Sequence, residues 1–183
     1  MSEDRIVRNC APTLAGLKTG SLFTCPFESR EVLLDDLRQL NKRLGPKGLR
    51  VLPLRFSEKK ALIYLYRPAM LRCDLSQTCA EELLRSQGYD TGSCERCVVH
   101  LAKKLRSKED FPHEIGLFLG YPPEDVHGFI EQGPDLCKCV GCWKVYGNEE
   151  AAKKKFAQYK KCTRVYCEQW AKKRDIERLT VAG

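Results

Sequence analysis

Leu49-Arg50-Val51-Leu52-Pro53-Leu54-Arg55-Phe56 and Ala61-Leu62-Ile63-Tyr64-Leu65-Tyr66-Arg67 flank the polar segment Ser57-Glu58-Lys59-Lys60. Both runs are rich in Val, Ile, Leu and Tyr, so the stretch reads as a β-hairpin with a short loop. Pro53 cannot donate to a strand ladder, which puts the first strand at an edge or on a bulge. Just upstream the apolar spacing turns helical. Leu33, Leu37, Leu40 and Leu44 recur three or four residues apart behind Ser29, a hydroxyl cap, and the pattern stops at Gly45-Pro46.

The rest of the chain is read outward from there. Pro12 reads as the first turn of a short helix ended by Gly20, with a short strand from Ser21 to Cys25. Asp74 or Ser76 opens a helix through Leu83 and Leu84 that Gly88 closes, and another covers 92–106. Asp110-Phe111-Pro112-His113-Glu114 reads as a helix start, with Pro in the first turn. Gly120-Tyr121-Pro122-Pro123 ends that helix and begins one through Val126, Phe129 and Ile130, stopped by Gly133-Pro134. Trp143 to Tyr146 is strand-like. Asn148 caps a long helix with an apolar stripe of Ala152, Phe156, Tyr159, Tyr166 and Trp170, and Ile176 to Val181 reads as a last strand. With no repeat and no linker, the expectation is a single globular domain over 1–183. Its class is α/β (mixed α+β), with helices packed on a small mixed sheet.

A chain of 183 residues is long enough to build a core without disulfide staples. Met1-Ser2-Glu3-Asp4-Arg5 lacks the basic-then-apolar order of a secretory signal, and the longest apolar runs are too short to span a bilayer. Both point to a soluble, cytoplasmic protein. Lys and Arg total 32 against 24 acidic residues, a net charge of +8. Much of the excess sits in Lys153-Lys154-Lys155, in Lys160, Lys161 and Arg164, and in Lys172-Lys173-Arg174. The surplus favours an acidic protein partner at Lys153, Lys154 and Lys155. Nucleic acid is disfavoured, because the aromatics interleaved with those lysines lie on the apolar stripe.

Eleven cysteines stand in this chain, among them Cys94-x-x-Cys97 and Cys139-x-x-Cys142. In a reducing compartment such thiols serve metal, redox or packing roles rather than disulfides. Cys94, Cys97, Cys139 and Cys142 make a four-thiolate set for zinc; Cys137, Cys139, Cys142 and Cys162 make an alternative set for zinc or an iron–sulfur cluster. The competing account is that buried thiols pack as small hydrophobes. A thioredoxin-type exchange site needs a strand immediately before its C-x-x-C pair, and a loop precedes Cys94. His113 beside Glu114 is a candidate acid–base pair, against the plainer role of Glu114 as a first-turn carboxylate. Gly16-Leu17-Lys18-Thr19-Gly20-Ser21 has the residues of an anion cradle but is not a P-loop.

Several longer strings carry a family resemblance. Cys10-Ala11-Pro12-Thr13-Leu14-Ala15-Gly16-Leu17-Lys18, Phe111-Pro112-His113-Glu114-Ile115-Gly116-Leu117-Phe118-Leu119-Gly120-Tyr121-Pro122, Asp125-Val126 with Gly128-Phe129-Ile130, and Trp143-Lys144-Val145-Tyr146 resemble an uncharacterised domain-of-unknown-function family of anaerobic bacteria. The resemblance implies a ligand pocket among Lys18, Ser21, His113, Glu114, Tyr121, Lys144 and Tyr146. It also implies that the chain is encoded near flavodoxins and ferrous-iron uptake components, and hence an acidic flavodoxin docking on the basic C-terminal helix. The expectation that follows is a thiol-rich metal- or cofactor-binding protein of anaerobic iron or redox physiology. The rivals are an enzyme using His113 and Glu114 on a small anionic substrate, and a non-catalytic adaptor or regulator.

Overall fold

In the computed structural model, which describes residues 2–107, 111–172 and 175–183, the hairpin lies at the centre of the molecule. Strands β1 (Gly20–Pro26), β2 (Arg50–Phe56) and β3 (Lys60–Tyr66) form an antiparallel sheet in the order β1-β3-β2. Pro53 lies on edge strand β2, and the register slips between Pro53 and Arg55, so the missing N–H is absorbed by a bulge. β3 is covered on both faces. Ala61, Ile63 and Leu65 point into one apolar cluster, and Leu62, Tyr64 and Tyr66 into the other. That explains its unbroken apolar run. Burying Ile63, Tyr64 and Leu65 contributes roughly 1.5–3 kcal/mol per side chain.

One face carries α1 (Glu3–Leu14), α2 (Arg30–Leu44) and the short α9 (Ile176–Leu179), with the far end of α8 (Glu149–Ala171). The other carries α3 (Pro68–Leu75), α4 (Thr78–Ser86), α5 (Cys94–Arg106), α6 (Ile115–Phe118) and α7 (Pro123–Gln132). A small hairpin of β4 (Cys139–Val140) and β5 (Lys144–Val145) follows, packing Trp143 and Val145 against Ala152 and Tyr159 of α8. The fold is mixed α/β, and helices flank both faces of its main sheet. Among the described residues, no helix is long and apolar enough to cross a membrane.

Several expectations are corrected. α1 begins at Glu3 because Ile6, Val7, Cys10, Ala11 and Leu14 form a buried face, which leaves Pro12 in its last turn. Gly16, with φ of 73°, follows that helix, and Gly20 opens β1. A Cβ on Gly20 would lie 2.6 Å from the Tyr64 ring, whose hydroxyl donates to the Phe118 carbonyl at 2.5 Å. Asp74 and Ser76 fall at the end of α3 and Gln77 precedes α4. Ser93 caps α5, so Cys94 and Cys97 lie inside its first turns. The helix expected from Asp110 is regular only over Ile115–Phe118, and Asp110 itself lies outside the described residues. The strand expected over 143–146 is regular only at Lys144–Val145. The last strand is instead helix α9: Asp175 accepts from the Glu177 N–H, and Arg43 pairs with Glu3, Asp175 and Glu177.

Arg67, 3% exposed, ties the ends of the chain together. Its guanidinium donates to the carbonyls of Thr13 (2.7 Å), Leu14 (2.9 Å) and Val181 (2.7 Å). The cation thus occupies the carbonyl end of α1, where the helix dipole is negative and the last carbonyls lack intrahelical partners.

Candidate functional site

Asp125 in the first turn of α7 organises the region where the longer strings meet. The carboxylate accepts Trp143 Nε1–H and the backbone N–H groups of Tyr146 and Gly147, each at 2.7 Å. This pins the β4–β5 hairpin to α7. Trp143 then stacks on Tyr121 with ring centroids 4.8 Å apart, and its other neighbour is the Phe156 ring at 4.5 Å, edge to face. The Tyr121 hydroxyl donates to the Cys142 carbonyl at 3.2 Å, which closes the turn from the opposite side. Tyr121 and Trp143 form a wall between two cavities.

On one side is an apolar cavity of about 220 Å³, lined by His113, Ile115, Gly116, Tyr121, Val126, Phe129, Trp143 and Lys144, with Asp125 at its edge. His113 meets the Phe129 ring edge-on at 4.8 Å, and exposed Phe111 lies 6.3 Å beyond it. Lys144 also lines the cavity, and its Nζ donates to the Pro134 carbonyl at 2.8 Å. The cavity needs Gly116: a Cβ there would meet Val126 Cγ2 at 2.7 Å and Tyr121 Cδ2 at 3.1 Å. Gly128 packs equally closely, against Tyr146 on the far side of α7.

The structure brings His113, Tyr121 and Lys144 to this cavity and sends the other expected residues elsewhere. Glu114 is 2% exposed and turned inward; it accepts the Tyr89 hydroxyl at 2.9 Å and Lys104 Nζ at 2.6 Å. His113 is exposed, so the two do not form an acid–base pair. Their side chains diverge because they flank the entry into α6, whose Ile115 to Phe118 segment is wholly buried. Ser21 is buried against Thr13 Oγ1 at 2.9 Å, under the sheet. Tyr146 donates to the Gly133 carbonyl at 2.5 Å and braces the end of α7. Lys18 reaches Tyr121 with Nζ 5.2 Å from the ring centroid. Burial lowers its pKa, opposed by the charges of Cys142 and Cys10.

Neither thiol set assembles. Cys94 and Cys97 lie on α5 against the core beside β3, while Cys139 belongs to the cluster of Trp143 and Phe156. Cys142 is exposed, and Cys137 and Cys162 are half-buried. Among the described residues, no three His, Cys, Asp or Glu side chains converge as a metal ion would require. Nor are the α5 thiols activated by their helix start. Burial, reinforced by Glu95 and Cys97, pushes Cys94 up to about 11, and burial with Asp90 raises Cys97. Lys153, Lys154 and Lys155 are all exposed, but their side chains fan around the helix. Successive residues point about 100° apart on a helix, so Lys153 pairs with Glu149 at 2.5 Å while Lys155 lines the second cavity. Of the last basic cluster, Lys173 and Arg174 lie outside the described residues.

Sequence reasoning overlooked Asp125 as a hub, and it read Asp74 only as a helix start, where the structure puts it in the last turn of α3 on a cavity lining. Asp125 reads as an ordinary helix-start acid after Pro122-Pro123. Asp74 belongs to α3, an element signalled by Arg67-Pro68, since proline is preferred in a helix's first turn.

Comparison with curated proteins and with solved structures returns no match. The model of one family, described as "Protein of unknown function (DUF3793)", matches residues 6–180. The chain belongs to that family.

Proposed function

We propose that this protein binds a small ligand, a flat ring bearing one anionic group, in the cavity between α6, α7 and the β4–β5 hairpin. The observation that carries this reading is convergence. His113 to Tyr121, Asp125 with Val126 and Phe129, and Trp143-Lys144 come from three separate strings and share one lining. Small-molecule sites combine apolar walls with a few polar groups at fixed places. Here Tyr121, Phe129 and Trp143 offer ring surfaces, while His113 and Lys144 offer the polar contacts. A volume of about 220 Å³ suits a one-ring compound. The reading keeps the cofactor or anionic-substrate part of the sequence expectation and drops the His113–Glu114 pair as its chemistry.

Benzoate and its uncharged analogue benzamide test it. Benzoate raises the thermal midpoint in a saturable way and benzamide raises it less; Lys144→Met removes the difference between them. Equal shifts from the two compounds in the wild type, or none, would contradict the reading.

A second reading, an acidic protein docking on α8, is supported by Lys154, Lys160 and Lys161. All three are exposed, and none has an ion-pair partner among the described residues. With a purified flavodoxin as probe, Lys154→Glu with Lys161→Glu abolishes the low-salt association, and an unchanged affinity removes this face from the interface.

A further inference from the structure

The second cavity, across the Tyr121–Trp143 wall, encloses about 310 Å³ between the end of α3, the start of α7 and the first turns of α8. Its two sides are oppositely charged. Asp74 and Glu124 line it from α3 and α7, with Asp125 already occupied by its three donors, and Lys155 lines it from α8, about two turns along from the N-cap residue Asn148.

Asp74 is the informative group. Its Oδ2 accepts the Thr19 hydroxyl, and among the described residues no cation lies within ion-pair distance. It stands in the last turn of α3, where the helix dipole presents negative charge, so a carboxylate there is mismatched with its own helix. Burial raises its pKa, against the opposing effects of Thr19 and Lys155. A cation brought to Asp74 relieves both penalties.

Lys155 decides what kind of cation. It is exposed and unpaired among the described residues, and its charge acts on Asp74 across the cavity. A purely cationic ligand meets Lys155, and a purely anionic one meets Asp74 and Glu124. A molecule carrying both charges a few ångströms apart satisfies each side. The Asn148 side-chain oxygen is used in capping Ala151 N–H at 3.0 Å, which leaves its amide N–H₂ as a donor on the α8 side of the cavity. The remaining lining includes Leu117, Pro122 and Ala152 beside the Tyr121–Trp143 wall, an apolar surface that takes a hydrocarbon side chain.

We infer that this cavity is a site for a small zwitterion, a free α-amino acid with an aliphatic side chain, whose ammonium sits on Asp74 and whose carboxylate faces Lys155 and Asn148. This site is separate from the His113 pocket and does not depend on the function proposed there.

Calorimetric titration of the whole chain with L-leucine, N-acetyl-L-leucine and L-leucinamide tests it. L-leucine binds the wild type. Removing its ammonium charge by acetylation, or its carboxylate charge as the amide, weakens binding at least tenfold, the loss typical of one charge-assisted contact. Asp74→Asn lowers leucine affinity by a similar factor, and Lys155→Met lowers it while leaving L-leucinamide unaffected. Lys155 is exposed, so that second variant keeps the fold. No leucine binding by the wild type, or equal binding of the three compounds, overturns the inference.

Discussion

Trp143 donates its indole N–H to Asp125 at 2.7 Å, and both residues are buried. The bond carries more than its own energy, because the other carboxylate oxygen accepts two backbone N–H groups of the same hairpin. Asp125→Ala strands three donors at once. Each buried hydrogen bond to a charged group is worth about 1.5–3 kcal/mol, and the losses overlap, so a net cost of about 3–4 kcal/mol is expected. Scanning calorimetry reads this as a fall of roughly 6–15 °C at this chain length. A fall under about 2 °C would show that the hairpin is held by its other contacts.

Gly128 and Gly45 make a contrasting pair. Alanine in place of a mid-helix glycine gains about 1 kcal/mol of propensity, whereas overpacking costs about 1–3 kcal/mol. A Cβ at Gly128 would sit 2.5 Å from Cβ and Cγ of Tyr146, atoms too close to the backbone to swing away. Steric cost wins there, and Gly128→Ala lowers the unfolding midpoint. Gly45 has helical angles of −56° and −45° and nothing within 4 Å beyond its chain neighbours, but a Cβ there crowds Pro46, which offsets the propensity gain, so Gly45→Ala moves the midpoint less than Gly128→Ala does. Paired thermal melts check the difference in size.

Two half-buried charges set pH dependences of opposite sign. Lys18 has its pKa lowered by burial, so the unfolded chain binds its proton more readily. Its contribution to stability therefore increases as pH rises from the folded value towards about 10.4. Lys18→Met is more stable than wild type below that window and loses the advantage across it. Asp74 has its pKa raised by burial, so the unfolded chain releases that proton first. Stability then falls as pH rises from about 3.9 through the folded value, and Asp74→Asn removes this penalty. Urea midpoints of the two variants against pH check both slopes.

Thiol labelling separates packing cysteines from available ones. Cys73, Cys79 and Cys142 are exposed, whereas Cys10 is fully buried and burial pushes its thiol up to about 12. At pH 7.5, a neutral maleimide modifies the three exposed thiols first and Cys10 last, as read by peptide mass spectrometry. Early modification of half-buried Cys94 or buried Cys97 would contradict their raised pKa values.

The elements readable from sequence were those whose signals are local. Ser29 before a leucine repeat, Pro53 in a strand, and Asn148 before an alternation of lysines and aromatics each name their own structure, as observed for α2, β2 and α8. What stayed hidden depends on distant partners. Ile176 to Val181 has strand-like composition, but Arg43 and Lys47 from the α2 end hold Asp175, Glu177 and Thr180 in a helical turn. Glu114 turns inward because Lys104 and Tyr89, on other elements, receive it. The C-x-x-C pairs suggested one centre, yet their separation follows from α5 packing beside the main sheet while the β4–β5 hairpin packs on α8. Spacing along a chain says which thiols are neighbours within a pair and nothing about whether two pairs meet.

The most direct test uses Trp143 as its own reporter. Trp170→Phe leaves Trp143 as the remaining tryptophan of the chain, on the wall of the His113 cavity. Titrating this variant with benzoate should change Trp143 emission along a saturable one-site curve, and Lys144→Met should weaken that curve by roughly tenfold. Emission that stays constant, or that changes linearly without saturating, would contradict a ligand site between α6, α7 and the β4–β5 hairpin.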